Sequence, residues 1–214
     1  MDKIRLYKDR FRIFLILYFF SDTYSNPATP DLKKLFRSEI KIQKIDFYIR
    51  NPDYLAYELL NIATHDGSQK NDIKNIIRNI FKHREPVLRR LEMEKFFYGA
   101  FEDLDDVICF LDSIGFIKFS SEKASDLKTI EKKYYITEHA INKVQDSLNS
   151  LAALQWYVQR CQLIKRFFGE LKGTKLKDMQ YQIDEYRKTS YKEYIGNIQN
   201  LAKKKFKTLY GEDL

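Results

Sequence analysis

A mainly α fold with a small β component (α+β) is predicted by three features of the sequence. Only 7 Gly and 4 Pro in 214 residues leave too few turn formers for an all-β architecture, which calls for them every ~8–12 positions. Apolar residues recur at helical spacing through most of the chain. Two short β-prone stretches, Phe116–Phe119 and Lys133–Ile136, interrupt that pattern. At 44% hydrophobic residues the chain is too apolar for a disordered one, and a chain this long buries roughly 70% of its unfolded surface, so it needs neither disulfides nor a structural metal to fold.

From Lys3 to Phe20 the residues Ile4, Phe11, Phe14, Leu15, Leu17 and Tyr18 keep helical spacing and predict a first helix. Ser21–Pro30 holds two prolines and is a loop, after which Asp31 is an N-cap candidate. A second helix is expected to start there, carrying Leu32, Leu35, Phe36, Ile40, Ile42, Ile45, Phe47 and Ile49 to the turn at Asn51-Pro52, either whole or broken near Ser38. Tyr54–Ile62 continues apolar, and Thr64–Lys70 with Gly67 reads as a loop. Ile73, Ile76, Ile77, Ile80 and Phe81 then define an amphipathic helix. Glu85–Ala100 reads as irregular.

Asp103 is the expected N-cap of a helix whose stripe Leu104, Val107, Ile108, Leu111 and Ile114 should face the core until Gly115 ends it. The two β-prone stretches follow, with the polar Ser120–Lys132 as the tip between them, and Thr137 caps a long helix. That helix carries Ile141, Val144, Leu148, Leu151, Leu154, Val158, Cys161, Ile164 and Phe168 to Gly169. After Gly173, Leu176, Met179, Ile183 and Tyr186 mark one helical face, and another helix is expected from Tyr191 to Leu209. The chain thus divides into an N-terminal helical region (1–85), a winged-helix-like element (86–150) and a long C-terminal helical region (151–214), or packs all three as one compact domain.

Helix, glycine turn, strand, polar tip, strand and threonine-capped helix resemble the second half of a winged helix, written here LDDVICFLDSIGFIKFS and KKYYITEHAINKV. In that class the Asp103–Ile114 helix holds the place that enters the DNA major groove. Phe101–Phe116 carries Glu102, Asp103, Asp105, Asp106 and Asp112 and no Lys or Arg, so phosphates would be repelled there. Asp103, Asp105 and Asp106 also suit a helix N-terminus electrostatically. The absence of any compensating base points to a protein partner for Asp105, Asp106 and Asp112.

No phosphate-binding glycine loop or dinucleotide fingerprint can be written from the isolated glycines. His65, His83 and His139 lack ligand spacing to one another or to the cysteines, and neither Ser147 nor Ser150 near His139 makes a nucleophile. The pairs Asp105-Asp106 and Asp184-Glu185 are expected to face solvent. No catalytic residue, metal or cofactor, and no small-molecule substrate, is expected. The net charge of +8 permits a polyanionic partner, and two clusters could track phosphates: Arg89 and Arg90, and Lys203, Lys204, Lys205 and Lys207 with Phe206 and Tyr210 interleaved. Cys109 and Cys161 lie in helical apolar patterns, where a cysteine acts as a small buried hydrophobe, and their use fits a reducing, cytoplasmic setting. The longest apolar run, Ile13–Phe20, is far shorter than the ~20 residues a membrane-crossing helix requires. Basic residues before it imitate a signal peptide, but no small-residue cleavage site follows.

The phrases DRFRIFLILYFF, IQKIDFYIRNPDYLA, FEDLDDVICFLDSIGFI, YYITEHAINKV, LQWYVQRCQLI and LKDMQYQIDEY resemble the middle component of bacterial ABC-three-component systems, the group that includes Lamassu anti-phage and anti-plasmid defence. They span most of the chain, and none is a catalytic motif. The resemblance implies a non-enzymatic subunit bridging an SMC-like ATPase and an effector such as a nuclease; Lys203, Lys204, Lys205 and Lys207 would at most add non-specific contact with DNA. The alternative is a winged-helix DNA-binding transcriptional regulator.

Overall fold

The computed structural model describes residues 3–123, 129–148 and 152–214. In chain order the elements are α1 (Lys3–Phe20), β1 (Asp22–Thr23), β2 (Leu32–Phe36), α2 (Glu39–Arg50), α3 (Pro52–His65), α4 (Lys70–Lys82), α5 (Glu85–Leu88), β3 (Glu94–Phe96), β4 (Gly99–Phe101), α6 (Asp105–Ser113), β5 (Ile117–Lys123), β6 (Thr129–Thr137), α7 (Glu138–Leu148), α8 (Ala152–Phe168), α9 (Gly173–Tyr181), α10 (Asp184–Lys188) and α11 (Gln199–Tyr210). The protein is therefore mainly α with a small β component. It forms two compact units, each discontinuous in sequence: Met1–Asp46 with Asp103–Gly173, and Phe47–Glu102 with Thr174–Leu214. These boundaries differ from a linear division at 85 and 150. In sequence, the second unit's first segment begins within the last turn of α2 and ends just before α6.

In the first unit, α1 packs against α6 and α8 and buries Leu15, Ile16 and Leu17 completely. Leu32–Phe36 is a strand, not the expected start of a helix, and Asp31 caps nothing there. Its backbone is taken up on both edges, by β1 (Asp22↔Leu35) and by β6 (Lys34↔Ile136, Phe36↔Tyr134), in a sheet ordered β1-β2-β6-β5. Pairing with residues about a hundred positions away overrides the local pattern. The suspected break at Ser38 is real: its Oγ accepts from the Lys41 amide (3.2 Å) and starts α2.

Thr137 caps α7 as expected. Its Oγ1 accepts from the Ala140 amide (3.1 Å) and donates to the Gly115 carbonyl (2.7 Å), tying the end of β6 to the turn that closes α6. Gly115 makes that turn at φ +71, a left-handed conformation that costs glycine little. The expected long helix runs as α7 and α8, and residues 149–151 between them, with Ser150 and Leu151, lie outside the described residues, as do residues 124–128 of the tip.

In the second unit, α3 is sandwiched by α4 and α11, burying Tyr54, Leu55, Leu59, Leu60 and Ala63. Phe47, Tyr54 and Tyr186 form an edge-to-face cluster with centroids 4.8–6.3 Å apart. Glu85–Ala100 is ordered instead of irregular, as α5, a linking segment and the β3–β4 hairpin. Tyr191–Ile198, expected to be helical, is not: it turns at Tyr191-Lys192, with Lys192 at φ +65, and is held beside β3 through Lys95 N–Glu193 O (3.0 Å), Lys192 N–Lys95 O (2.7 Å) and Ile195 N–Met93 O (3.0 Å). The buried Lys95 ammonium donates to the carbonyls of Arg187 (2.6 Å) and Thr189 (2.7 Å), which holds the end of α10 onto the hairpin. Arg50, 2% exposed, donates to the Leu91 carbonyl (3.0 Å), the Glu92 carbonyl and Glu102, and so fixes both ends of the α5–β4 segment. No described helix is long and apolar enough to cross a membrane.

Candidate interaction surfaces

The second unit exposes a cluster of aromatic side chains at the β3–β4 hairpin. The sequence Phe96-Phe97-Tyr98-Gly99 turns the chain in two residues, with Phe96 paired to Gly99 and Gly99 at φ +92. Phe97 is left 78% exposed and Tyr98 70%. Beside them on the segment after α10, Tyr191 and Tyr194 are 49% and 60% exposed. The rings interlock: Phe97 and Phe96 lie 4.7 and 5.3 Å from Tyr191, and Phe96 lies 5.2 Å from Phe101. Lys177 sits 5.3 Å from the Tyr98 ring and Lys192 5.6 Å from the Tyr191 ring, while Glu94 lies on β3 and Glu193 on the segment beside it. Contiguous exposed aromatics are rare on a free surface and enriched where proteins meet. The near balance of charge sets the patch apart from a phosphate-tracking groove, which is strongly basic. Sequence reasoning missed it. The available signal was three consecutive aromatics before a glycine, flanked by charged residues on both sides.

In the first unit, α6 carries Leu104, Val107, Ile108 and Leu111 into the core as expected. Ile114 departs from that stripe: 39% exposed, it lines a groove with Tyr7, Arg10, Phe11, Phe14, Phe110, Leu111 and Phe116, of about 180 Å³. Asp103 lies just before the helix and accepts from the Asp105 amide (2.9 Å). Asp105 and Asp106 are exposed, and Asp112 is half-buried with Lys118 Nζ 3.8 Å away. The three predicted partner-binding acids spread over roughly 120° of the helix circumference. By helical geometry Asp105 and Asp112, seven residues apart, share a side, while Asp106 lies a turn before Phe110 at the groove. Cys109 on the same helix is exposed, against expectation, because it falls between the two acids' side and the groove. Cys161 is buried, and burial pushes its thiol well above the ordinary range.

The predicted basic clusters come apart. Arg90 is half-buried and structural, donating to the Ile195 carbonyl (2.5 Å) and lying 3.8 Å from the buried Asp53, whereas its neighbour Arg89 is exposed. On α11, Lys203, Lys204 and Lys207 are exposed, with Lys207 paired to Asp213 (3.0 Å). Lys205 turns inward, donating to Asn61 and lying 4.6 Å over the Tyr57 ring beside Glu58. The interleaved aromatics are not stacking platforms: Phe206 is fully buried, and the Tyr210 hydroxyl donates to the Lys70 carbonyl (2.7 Å). Lys205→Ala is accordingly expected to lower unfolding stability by about 1–2 kcal/mol and Lys204→Ala by less than about 0.5, as chemical denaturation would register. Equal losses would contradict the inward placement.

Among the described residues no group of three or more His, Cys, Asp and Glu is gathered as a metal site would need. His139 packs edge-on against Phe116 at 5.6 Å, while the side chain of Ser147 and all of Ser150 lie outside the described residues. Asp184 is engaged by Arg187 and by Lys188 (2.8 Å) on the surface. No protein-family model matches the chain, and neither the curated proteins nor the solved structures compared with it hold a match.

Proposed function

We propose that this chain is a non-enzymatic assembly subunit of a bacterial anti-phage or anti-plasmid defence complex, working in the cytoplasm between an SMC-like ATPase and an effector such as a nuclease. The observation that carries the assembly role is the aromatic surface: Phe97 and Tyr98 stand on a hairpin pinned by Lys95 and Arg50, with Tyr191 and Tyr194 on the segment beside it. A rigid aromatic patch desolvates a large area on docking at little entropic cost. The defence setting rests on the sequence resemblance alone. Direct contact with DNA is weak, salt-sensitive and independent of sequence, through Lys203, Lys204 and Lys207.

A winged-helix reading of the first unit is supported by its strand order, in which β2 joins β6 and β6 joins β5, with α6 leading into β5. That order favours the second reading, a DNA-binding regulator. The exposed Asp105 and Asp106 on α6 oppose it, because they stand where phosphates would have to approach.

The test is pull-down and titration of the chain against the ATPase and effector encoded beside it, with Phe97→Ser, Tyr98→Ser and Tyr194→Ser combined. Truncating central aromatic anchors costs ≥ ~2 kcal/mol each at a hot spot, so binding to one partner should weaken by more than about 30-fold while circular dichroism stays unchanged. Undiminished binding by the triple variant would remove the assembly role's support. A sequence-specific footprint on DNA by the isolated chain would favour the regulator instead.

A further inference from the structure

We infer that α4 and α11 together form one face for the DNA backbone, and that Glu212 and Asp213, folded back onto that face, stand in for phosphates and hold its affinity down. The inference rests on the reading that Lys203, Lys204 and Lys207 touch DNA, and adds to it a second helix and a built-in competitor. Charge and layout carry the first part. α4 holds Lys70, Lys74, Arg78 and Lys82 against Asp72 alone, and α11 holds Lys203, Lys204, Lys205 and Lys207 against no acid. Lys70, Lys74 and Arg78 recur every four residues and so run along one side of α4 for about 12 Å, with Asp72 about 160° round the helix from Lys74. Side chains bring α11 alongside. The Tyr210 hydroxyl donates to the Lys70 carbonyl (2.7 Å), the Lys70 and Lys74 ammoniums lie 5.6 and 5.4 Å from the Tyr210 ring, and at the other end Lys203 lies 5.8 Å from the Phe81 ring. An extended row of cations fits a linear polyanion better than a single phosphate, which calls for a concave cluster of donors. Phe206 is fully buried and Phe81 and Tyr210 are half-buried, so these rings brace lysine stems and offer no apolar wedge to a lipid surface.

The end of α11 places the acids. Gly211 closes that helix at φ +70, its amide donating to the Lys207 carbonyl (2.8 Å), and the left-handed turn sends the chain back over the face. There one Glu212 oxygen accepts from Lys74 Nζ (2.7 Å) and the other meets Arg78, while Asp213 pairs with Lys207 (3.0 Å). Two carboxylates thus occupy three cations of the face. The hydrogen bond from Lys74, with the charge of Arg78, holds the Glu212 carboxyl below the usual range, so it is an anion at neutral pH. Exposed ion pairs are individually weak and screened by salt, so a DNA backbone can displace these, at a cost in affinity. Each carboxylate so released takes up a counterion, which also flattens the salt dependence of binding.

The experiment uses the full chain and a fluorescein-labelled DNA duplex of about 20 base pairs and mixed sequence, with binding read by anisotropy from about 50 to about 200 mM salt. Glu212→Gln combined with Asp213→Asn should tighten binding at least about 5-fold at the low-salt end and steepen the slope of log K against log salt by up to about 3, roughly one for each freed cation. Adding Lys74→Gln and Arg78→Gln should cancel most of that gain, with circular dichroism checking the fold. Asp31→Asn combined with Glu92→Gln raises the net charge equally, at exposed positions elsewhere, and should change binding less than about 2-fold. No gain from the acidic-pair variant, an equal gain from the charge control, a gain that survives the loss of Lys74 and Arg78, or tighter binding of the acidic-pair variant to phosphatidylserine–phosphatidylcholine vesicles than to the duplex would each overturn the inference. The direct-contact reading has its own arm, the natural chain against Lys203→Gln with Lys204→Gln, and falls if those two bind the duplex equally. The effect of the acids is read on Glu212 and Asp213 alone, so either can fail without the other.

Discussion

Arg12→Met should destabilise the protein by about 3–5 kcal/mol, a large fraction of the ~5–15 kcal/mol that holds a typical domain folded. Arg12 lies on α1 within an otherwise apolar helical face and is only 3% exposed. Its guanidinium bonds Asp46, itself fully buried, through Nε, and Asp9 through Nη1 (2.7 Å). Burial alone would lower the Arg12 pKa, but the charges and hydrogen bonds of Asp46 and Asp9 outweigh it and hold the group firmly protonated. Methionine fills similar space and leaves the Asp46 carboxylate buried without its cation, which is the costly half of a broken pair. Asp46→Asn in the same background removes the stranded charge, so the double variant should recover at least half of the loss. Urea unfolding followed by far-UV circular dichroism would measure all four corners of the cycle. A loss below about 1 kcal/mol for Arg12→Met, or no recovery in the double variant, would mean that water reaches the pair and the burial is not maintained in solution.

What could be read from the sequence was what local chemistry decides. Helix α1 ends where its apolar spacing does, Thr137 caps α7, and Gly115 ends α6, because each depends on residues within one or two turns. Leu32–Phe36 could not be read, since its apolar spacing fits a helix as well as a strand and the partner that decides it, β6, is remote in sequence. The same holds for Tyr191–Ile198, whose non-helical path is set by its backbone bonds to β3 and Met93. At the candidate surfaces the sequence supplied residue types but not their directions. Lys205 and Arg90 looked like their exposed neighbours Lys204 and Arg89, and what turned them inward is a buried or half-buried acceptor on another element, Asn61 for one and Asp53 with the Ile195 carbonyl for the other. The hairpin aromatics failed for the opposite reason. Their stretch read as irregular, and only the two-residue turn at Phe97-Tyr98 shows that these two rings stand outside the core.

Stability should fall as pH rises from about 4.5 to 7, and Glu58→Gln should abolish most of that fall. Glu58 sits on α3 against α11 and is 2% exposed, with one carboxyl oxygen accepting from Asn61 Nδ2 (2.9 Å) and the other buried without a hydrogen-bond partner. Burial pushes its pKa up to about 7, only partly opposed by the Asn61 hydrogen bond and by the charge of Lys205. Between the ordinary carboxylate pKa near 4.5 and about 7, the folded state therefore holds a proton that the unfolded state has released. The unfolded state binds fewer protons in that window, so the slope of unfolding free energy with pH is negative, and above pH 7 the folded protein carries the full cost of a buried anion. At roughly 1.4 kcal/mol per unit, the fall amounts to at most about 3.5 kcal/mol. Asp53, buried and also raised, adds a smaller slope of the same sign. Glutamine keeps the shape, still meets Asn61 and has no charge to desolvate. The variant should therefore match the natural chain at pH 4.5 and exceed it by about 1–3 kcal/mol at pH 8, by denaturant unfolding at both values. A natural chain that is more stable at pH 8 than at pH 5, or a variant destabilised equally at both, would show that Lys205 pairs with an ionised Glu58 and that this carboxylate is not held as its acid.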